Sequence, residues 1–126
     1  MSPARFDPET RRAAYRRGDR AELICLWLLR LKGYRILARR YRTPVGEIDL
    51  IARRGRILAA VEVKARDDFA AAGEAIGMRQ RQRIVRAIGY FLASRPNLAT
   101  LSPRFDVMLV APRRLPVHLV DAWREE

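Results

Sequence analysis

Gly46-Glu47-Ile48-Asp49-Leu50-Ile51-Ala52-Arg53 and Arg56-Ile57-Leu58-Ala59-Ala60-Val61-Glu62-Val63-Lys64, joined through Arg54-Gly55, decide how this chain is read. Two apolar-rich runs separated by two residues that include glycine predict a β-hairpin. Pairing Arg53 with Arg56 sets Asp49 opposite Ala60 and Glu47 opposite Glu62. Strand side chains alternate faces with a period of two. One face then holds Ile48, Leu50, Ala52, Ile57, Ala59, Val61 and Val63, an apolar set suited to a core. The other holds Glu47, Asp49, Glu62 and Lys64 beside Ile51, Leu58 and Ala60. A one-residue slip would send the two apolar sets to opposite sides, so the pattern itself supports the pairing.

Three carboxylates on one small face need a reason. Like charges opposed across strands destabilise by up to ~1 kcal/mol per pair. A divalent cation supplies the reason by neutralising them; a solvated face balanced by Lys64 and nearby arginines is the plainer alternative. With carboxylates available and no His or Cys pair, Mg²⁺ or Mn²⁺ is favoured over zinc. Asp49 and Glu62 are the expected ligands, with the Val63 carbonyl assisting. Lys64, two residues past Glu62 on the same face, is placed to orient a water or to stabilise charge on a phosphate. It is one of two lysines set against 24 arginines. An amine offers a compact charge and a tunable pKa that guanidinium lacks. Glu22, an acid in the broadly apolar stretch Leu23 to Leu31 and its approach, is a further candidate for the site, or else a partly exposed helix acid.

The chain has 126 residues and a net charge of +12, from 26 Lys+Arg and 14 Asp+Glu, with 49% hydrophobic residues. That is enough for one domain with a real core, residues 1–126, with 1–7 as a flexible tail. The charge surplus points to a polyanionic partner: nucleic acid first, an anionic membrane surface second. One cysteine, Cys25, excludes an internal disulfide and a Cys-rich zinc site, and its apolar neighbours predict a buried thiol. The lone His118 reads as structural. No secretory signal or stretch of roughly 20 apolar residues is present, so a soluble, cytoplasmic protein without stable membrane insertion is expected.

Outward from the hairpin, Asp7-Pro8 reads as a helix start, with the helix running to about Leu31 and stopped at Gly33. Tyr34 to Tyr41 reads as a strand with Ile36 and Ala38 on one side, and Thr43-Pro44-Val45-Gly46 as a turn. Ala65 to Gly73 reads as a loop. A second helix is expected from Met78 to Ser94, with Ile84, Ile88, Phe91 and Leu92 as its apolar stripe. Arg104 to Ala111 and Pro116 to Ala122 complete the strands. Arg79, Arg83 and Arg86 share a helix face away from that stripe. With Arg39, Arg40 and Arg42 before the hairpin and Arg66 after it, they can grip a phosphate backbone. No signature of base-specific readout is present.

Gly46 to Ala52, then Val61-Glu62-Val63-Lys64-Ala65-Arg66, then Arg104-Phe105-Asp106-Val107, together with Glu22 and Gly33-Tyr34, resemble the YraN family of bacterial proteins. That family is similar to the Holliday-junction-resolvase branch of the PD-(D/E)xK nucleases. The resemblance spans about Arg17 to Val110. It implies an α/β fold with a restriction-endonuclease-like core, a mixed sheet flanked by helices in the order α-β-β-β-α-β. It also implies Mg²⁺-dependent cleavage of DNA, branched or structured DNA included, and a homodimer. By motif match, Asp49, Glu62 and Glu22 are the metal acids and Lys64 the catalytic lysine. Arg40 and Gln80 depart from the family pattern, which typically has Asn at the first position and commonly Lys at the second. The alternatives are a non-catalytic nucleic-acid-binding module on the same fold, and a basic protein that binds a protein partner or a membrane surface.

Overall fold

The computed structural model describes residues 8–66 and 76–124, with side chains described from residue 18 onward. The expected cap at Asp7, the tail 1–7 and most of the loop after Ala65 lie outside that range. Helix α1 spans Pro8–Leu31, followed by strands β1 (Arg35–Thr43), β2 (Gly46–Arg54) and β3 (Ile57–Ala65). Helix α2 spans Met78–Ala93, a short 3₁₀ turn covers Pro96–Leu98, and β4 (Ser102–Val110) and β5 (Val117–Trp123) close the chain. The five strands lie in sequence order in one sheet. Only β3 and β4 are parallel, because α2 carries the chain back across the sheet between them. None of the described helices is long and apolar enough to cross a membrane.

Helix α1 ends as its glycine predicts. Gly33 has φ +92, its N–H donates to the Arg30 carbonyl, and the Tyr34 N–H donates to that of Leu29. This pair of bonds is the Schellman arrangement, which glycine adopts without a Cβ penalty. Cys25, Leu26 and Leu29 of α1 pack with Leu50, Ala52, Ala59, Val61 and Met108 on one sheet face. On the other face Ile84, Ala87, Ile88 and Phe91 of α2 meet Ile51, Leu58, Ala60, Phe105 and Val107. The sheet is therefore buried on both sides, which accounts for the nearly continuous apolar run of β3.

Three expectations are corrected. The hairpin turn is Gly55-Arg56, because Arg54 pairs with Ile57 and Leu50 with Val61. Glycine at the first central position (φ +61) suits a tight hairpin. This shift by two keeps every side chain on its face but changes every partner. Second, Ile36 and Ala38 do not share a side. The register shifts between them, and Ile36 joins the α1 cluster while Ala38 joins the α2 cluster. Third, Ile48 packs with Ile51 and not with Leu50. Arg40, flanked by the pairs Arg39–Leu50 and Tyr41–Ile48, has φ +50, and alternation of β1 and β2 resets there. The edge-on ring contact of Tyr41 with Phe91, 5.2 Å between centroids, fixes the new phase.

The far end of the sheet holds a buried polar cluster. Asp106 is fully buried and accepts two hydrogen bonds from Arg104, at 2.9 and 2.8 Å, and the Asp121 N–H at 3.0 Å. His118 Nε2 lies 2.8 Å from Asp106 Oδ2, and Lys32 Nζ lies 2.9 Å from His118 Nδ1. A lysine ammonium only donates, so Nδ1 accepts and Nε2 carries the proton toward Asp106. His118 is thus structural. Burial alone would raise the Asp106 pKa, but the bonds from His118, Arg104 and the Asp121 amide outweigh it and hold the group at about 2.

Two predictions follow from this packing. A Cβ at Gly46 would meet the Arg83 carbonyl oxygen at 2.5 Å, a backbone atom that cannot turn aside. Gly46→Ala should cost ~1–3 kcal/mol in urea unfolding by forcing α2 off the hairpin. Asp106 has a pKa lowered on folding, so its stabilisation is complete above its ordinary value of 3.8 and is lost as pH falls through about 2. The native protein should lose about 2 kcal/mol more than Asp106→Asn between pH 5 and pH 2 in denaturant titrations.

Candidate metal centre

The hairpin brings Asp49 and Glu62 together. One step beyond the last ladder pair, Leu50–Val61, the register sets them across from each other. Asp49 Oδ2 accepts the Val63 N–H at 2.8 Å, where regular pairing has stopped. The Asp49 carboxyl lies close enough to Glu62 to favour its protonated form. Glu62 is 5% exposed, and its other contacts are the Gln80 side-chain amide, which donates to Oε2, and Lys64 Nζ at 3.6 Å. Burial first, then the bond to Asp49 and its charge, push the Glu62 pKa far up; Lys64 offsets only part of this. A carboxyl kept neutral by its surroundings beside a second carboxyl and an amine is the kind of perturbed cluster that marks functional sites.

Asp49 also faces a cleft of about 370 Å³ between α1 and the β1–β2 turn. Its walls carry Asp19, Glu22, Glu47 and Asp49 against Arg40 and Arg42. Four acids to two arginines make this a negative pocket in a strongly positive chain. Glu22 is partly buried, and burial, then the Asp49 charge, raise its pKa while Arg39 lowers it. Both its oxygens accept from Arg40 Nε, at 3.1 and 3.2 Å, and Arg40 also pairs with Asp19. Cys25 lies one turn along from Glu22. Burial, then Asp49 and Glu22, push its thiol up to about 12, so it stays a buried, protonated group.

A divalent ion would find carboxylate oxygen donors only. Asp49 and Glu62 adjoin across the hairpin, and Mg²⁺ is commonly bound by one or two carboxylates with water and substrate phosphate completing the set. The pair fits such an ion. Among the described residues no three acidic, His or Cys side chains converge with metal-holding geometry. Glu22 stands near Asp49 but engaged by Arg40. Glu47 is exposed and pairs with Arg42 at 3.6 Å, turned away from Glu62.

The basic residues lie around this centre. Arg79, Arg83 and Arg86 are exposed on α2, the helix that delivers Gln80 to Glu62. Arg66 is exposed at the end of β3, donating to the Ala65 carbonyl. Sequence reasoning grouped Arg40 with the outward arginines and missed its grip on Glu22. The signal it lacked was the left-handed backbone, which no local pattern announces for an arginine. It also noted Gln80 only as a departure, although a polar residue on the inner side of the first turn of α2 could have been matched to Glu62.

A mixed sheet between two helices, with Glu62 and Lys64 on its central strand and Asp49 on the neighbouring one, defines an α/β protein of the restriction-endonuclease-like class. The model of the Uncharacterised protein family UPF0102 matches residues 21–110. Relatives called UPF0102 protein include one from Parvibaculum lavamentivorans, 55% identical over 98% of this chain and 99% of its own length. Another, from a Chelativorans species, is 52% identical over 90% of this chain and 92% of its own. A third, from Paramagnetospirillum magneticum, is 55% identical over 89% of this chain and 90% of its own. The chain belongs to the UPF0102 family, the YraN family of the sequence reading.

The site has a stability consequence. An acid whose pKa rises on folding costs stability as pH climbs above its ordinary value, here 4.5, because the unfolded chain releases the proton first. Glu62→Gln should therefore raise the unfolding free energy at pH 8 by ~1–2 kcal/mol. The gain should shrink toward zero near pH 4.

Proposed function

We propose that this protein is a Mg²⁺-dependent nuclease that hydrolyses DNA phosphodiester bonds, branched or otherwise structured DNA being the substrate class its resolvase-like resemblance favours. The observation that carries the reading is the apposition of Asp49 and Glu62 across the hairpin, beside Lys64, with Asp49 lining an acidic cleft. An acidic cleft repels a phosphate; it becomes a phosphate site once cations enter it. A bound Mg²⁺ or Mn²⁺ would supply that neutralisation and a more acidic water.

The chain's own residues do the rest. Asp49, at the cleft, and Glu62, behind it, would hold the ion. The Val63 N–H orients the Asp49 carboxylate, and the Gln80 amide orients that of Glu62. Lys64, with a side chain 15% exposed, presents donors beside Glu62, where charge would develop on a reacting phosphate. Arg42, Arg66, Arg79, Arg83 and Arg86 would bind the sugar-phosphate backbone without reading bases. A non-catalytic DNA-binding module is the second reading. It is favoured by the want of a third converging carboxylate among the described residues.

A panel of duplex, nicked and four-way-junction DNA separates the two. Cleavage in Mg²⁺ should disappear with EDTA and fall by ~10²-fold or more in Lys64→Ala, while that variant still retains DNA. Retention with a steep salt dependence and no product in Mg²⁺ or Mn²⁺ would leave the binding module as the answer. Light scattering of the same samples, with and without DNA, tests the homodimer.

A further inference from the structure

Arg40 is a long side chain at φ +50 within an edge strand. Left-handed backbone costs a residue of this kind roughly 1–2 kcal/mol. The conformation has a clear local result. It carries the guanidinium off the strand and over the cleft, where Nε donates to both oxygens of Glu22 and Nη2 pairs with Asp19. The Arg40 side chain is 43% exposed and that of Glu22 only 12%. The cation therefore caps the acid from the solvent side. Across the cleft Arg42 is engaged with Glu47, so Arg40 is the guanidinium that hydrogen-bonds the α1 acids.

Glu22 and Asp49 are close enough for each to feel the other's charge. A divalent ion drawn to Asp49 and Glu62 enters next to Glu22, whose carboxylate oxygens already face a positive group. The two cations compete for one set of oxygens. A partly exposed pair of this type is worth about 0–1 kcal/mol, weak enough to exchange.

We propose that Arg40 is a resident counter-ion: its guanidinium occupies the Glu22 side of the cleft in the unloaded protein and is displaced when a divalent cation binds, becoming free to hold a phosphate of the nucleic-acid strand at the cleft mouth. This rests on the metal reading above. It adds that loading of the cleft and grip on the substrate are one linked event. A guanidinium swinging out at the rim binds phosphate by its fork of donors, which the same group cannot do while Glu22 and Asp19 occupy that fork.

The test is Mn²⁺ titration calorimetry on the native protein, Arg40→Asn and Arg40→Gly. Both replacements tolerate the left-handed backbone, so the strand keeps its path. Displacement predicts Mn²⁺ binding about fivefold tighter in both variants. The gain should vanish when Glu22→Gln is added, since the contested carboxylate is then gone. Equal Mn²⁺ affinity in native and variant proteins, or weaker affinity in the variants, overturns the proposal and leaves the metal reading standing. No Mn²⁺ binding by any of them sinks both. The phosphate half is read by the anisotropy of labelled DNA. The slope of log affinity against log salt should drop by about 1 in Arg40→Asn with Mg²⁺ present, and not in EDTA. An equal drop in EDTA shows the guanidinium already free and refutes the exchange.

Discussion

The carboxyl-to-carboxyl contact between β2 and β3 is the constraint around which this molecule is organised. Glu62 sits on the central strand, hydrogen-bonded antiparallel on one side and parallel on the other, and it cannot withdraw to solvent. Asp49 is anchored by a backbone amide of the same strand. The sheet could relieve the crowding only by giving up its middle. It surrounds Glu62 with a lysine and an amide instead, and burial favours the protonated form of that acid. Stability alone would favour apolar residues at such positions, as it does at every other buried position of these two strands.

The two ends of the sheet show how differently a buried acid can be treated. Asp106 receives charge-assisted bonds from arginine, a bond with the imidazole and a backbone amide, and its pKa falls. Glu62 receives one amide and a lysine at the limit of contact, and its pKa rises. One acid is held charged by its neighbours; the other is held by fewer donors and favoured in its neutral form. A left-handed residue on an edge strand stands near each place, Asp121 beside Asp106 and Arg40 across from Asp49, the neighbour of Glu62.

Much of this was legible in the residues. The helix ends at Gly33, the apolar stripe of α2 and the hairpin itself follow from periodicity and glycine placement, as does the shared face of Glu62 and Lys64. The turn was misplaced by one residue because Arg54-Gly55 and Gly55-Arg56 are equally good two-residue loops, and both preserve the faces. The phase reset at Arg40 could not be read. Arginine has no preference for a left-handed backbone, and its conformation is set by acids on a helix some twenty residues earlier. Nor did spacing reveal the Asp106 cluster, which gathers Lys32, Tyr34, Arg104, His118 and Asp121 from three separate segments.

The same irregularities have an effect at the rims of the sheet. β1 carries a register shift after Ile36 and a reversed residue at position 40, and β5 carries a register shift and another reversed residue at position 121. An incoming strand would find the free amides and carbonyls of either border out of step after three or four residues. Borders of that kind do not template further strands. A sheet bounded in this way can stop at five strands without offering another chain a regular edge to extend.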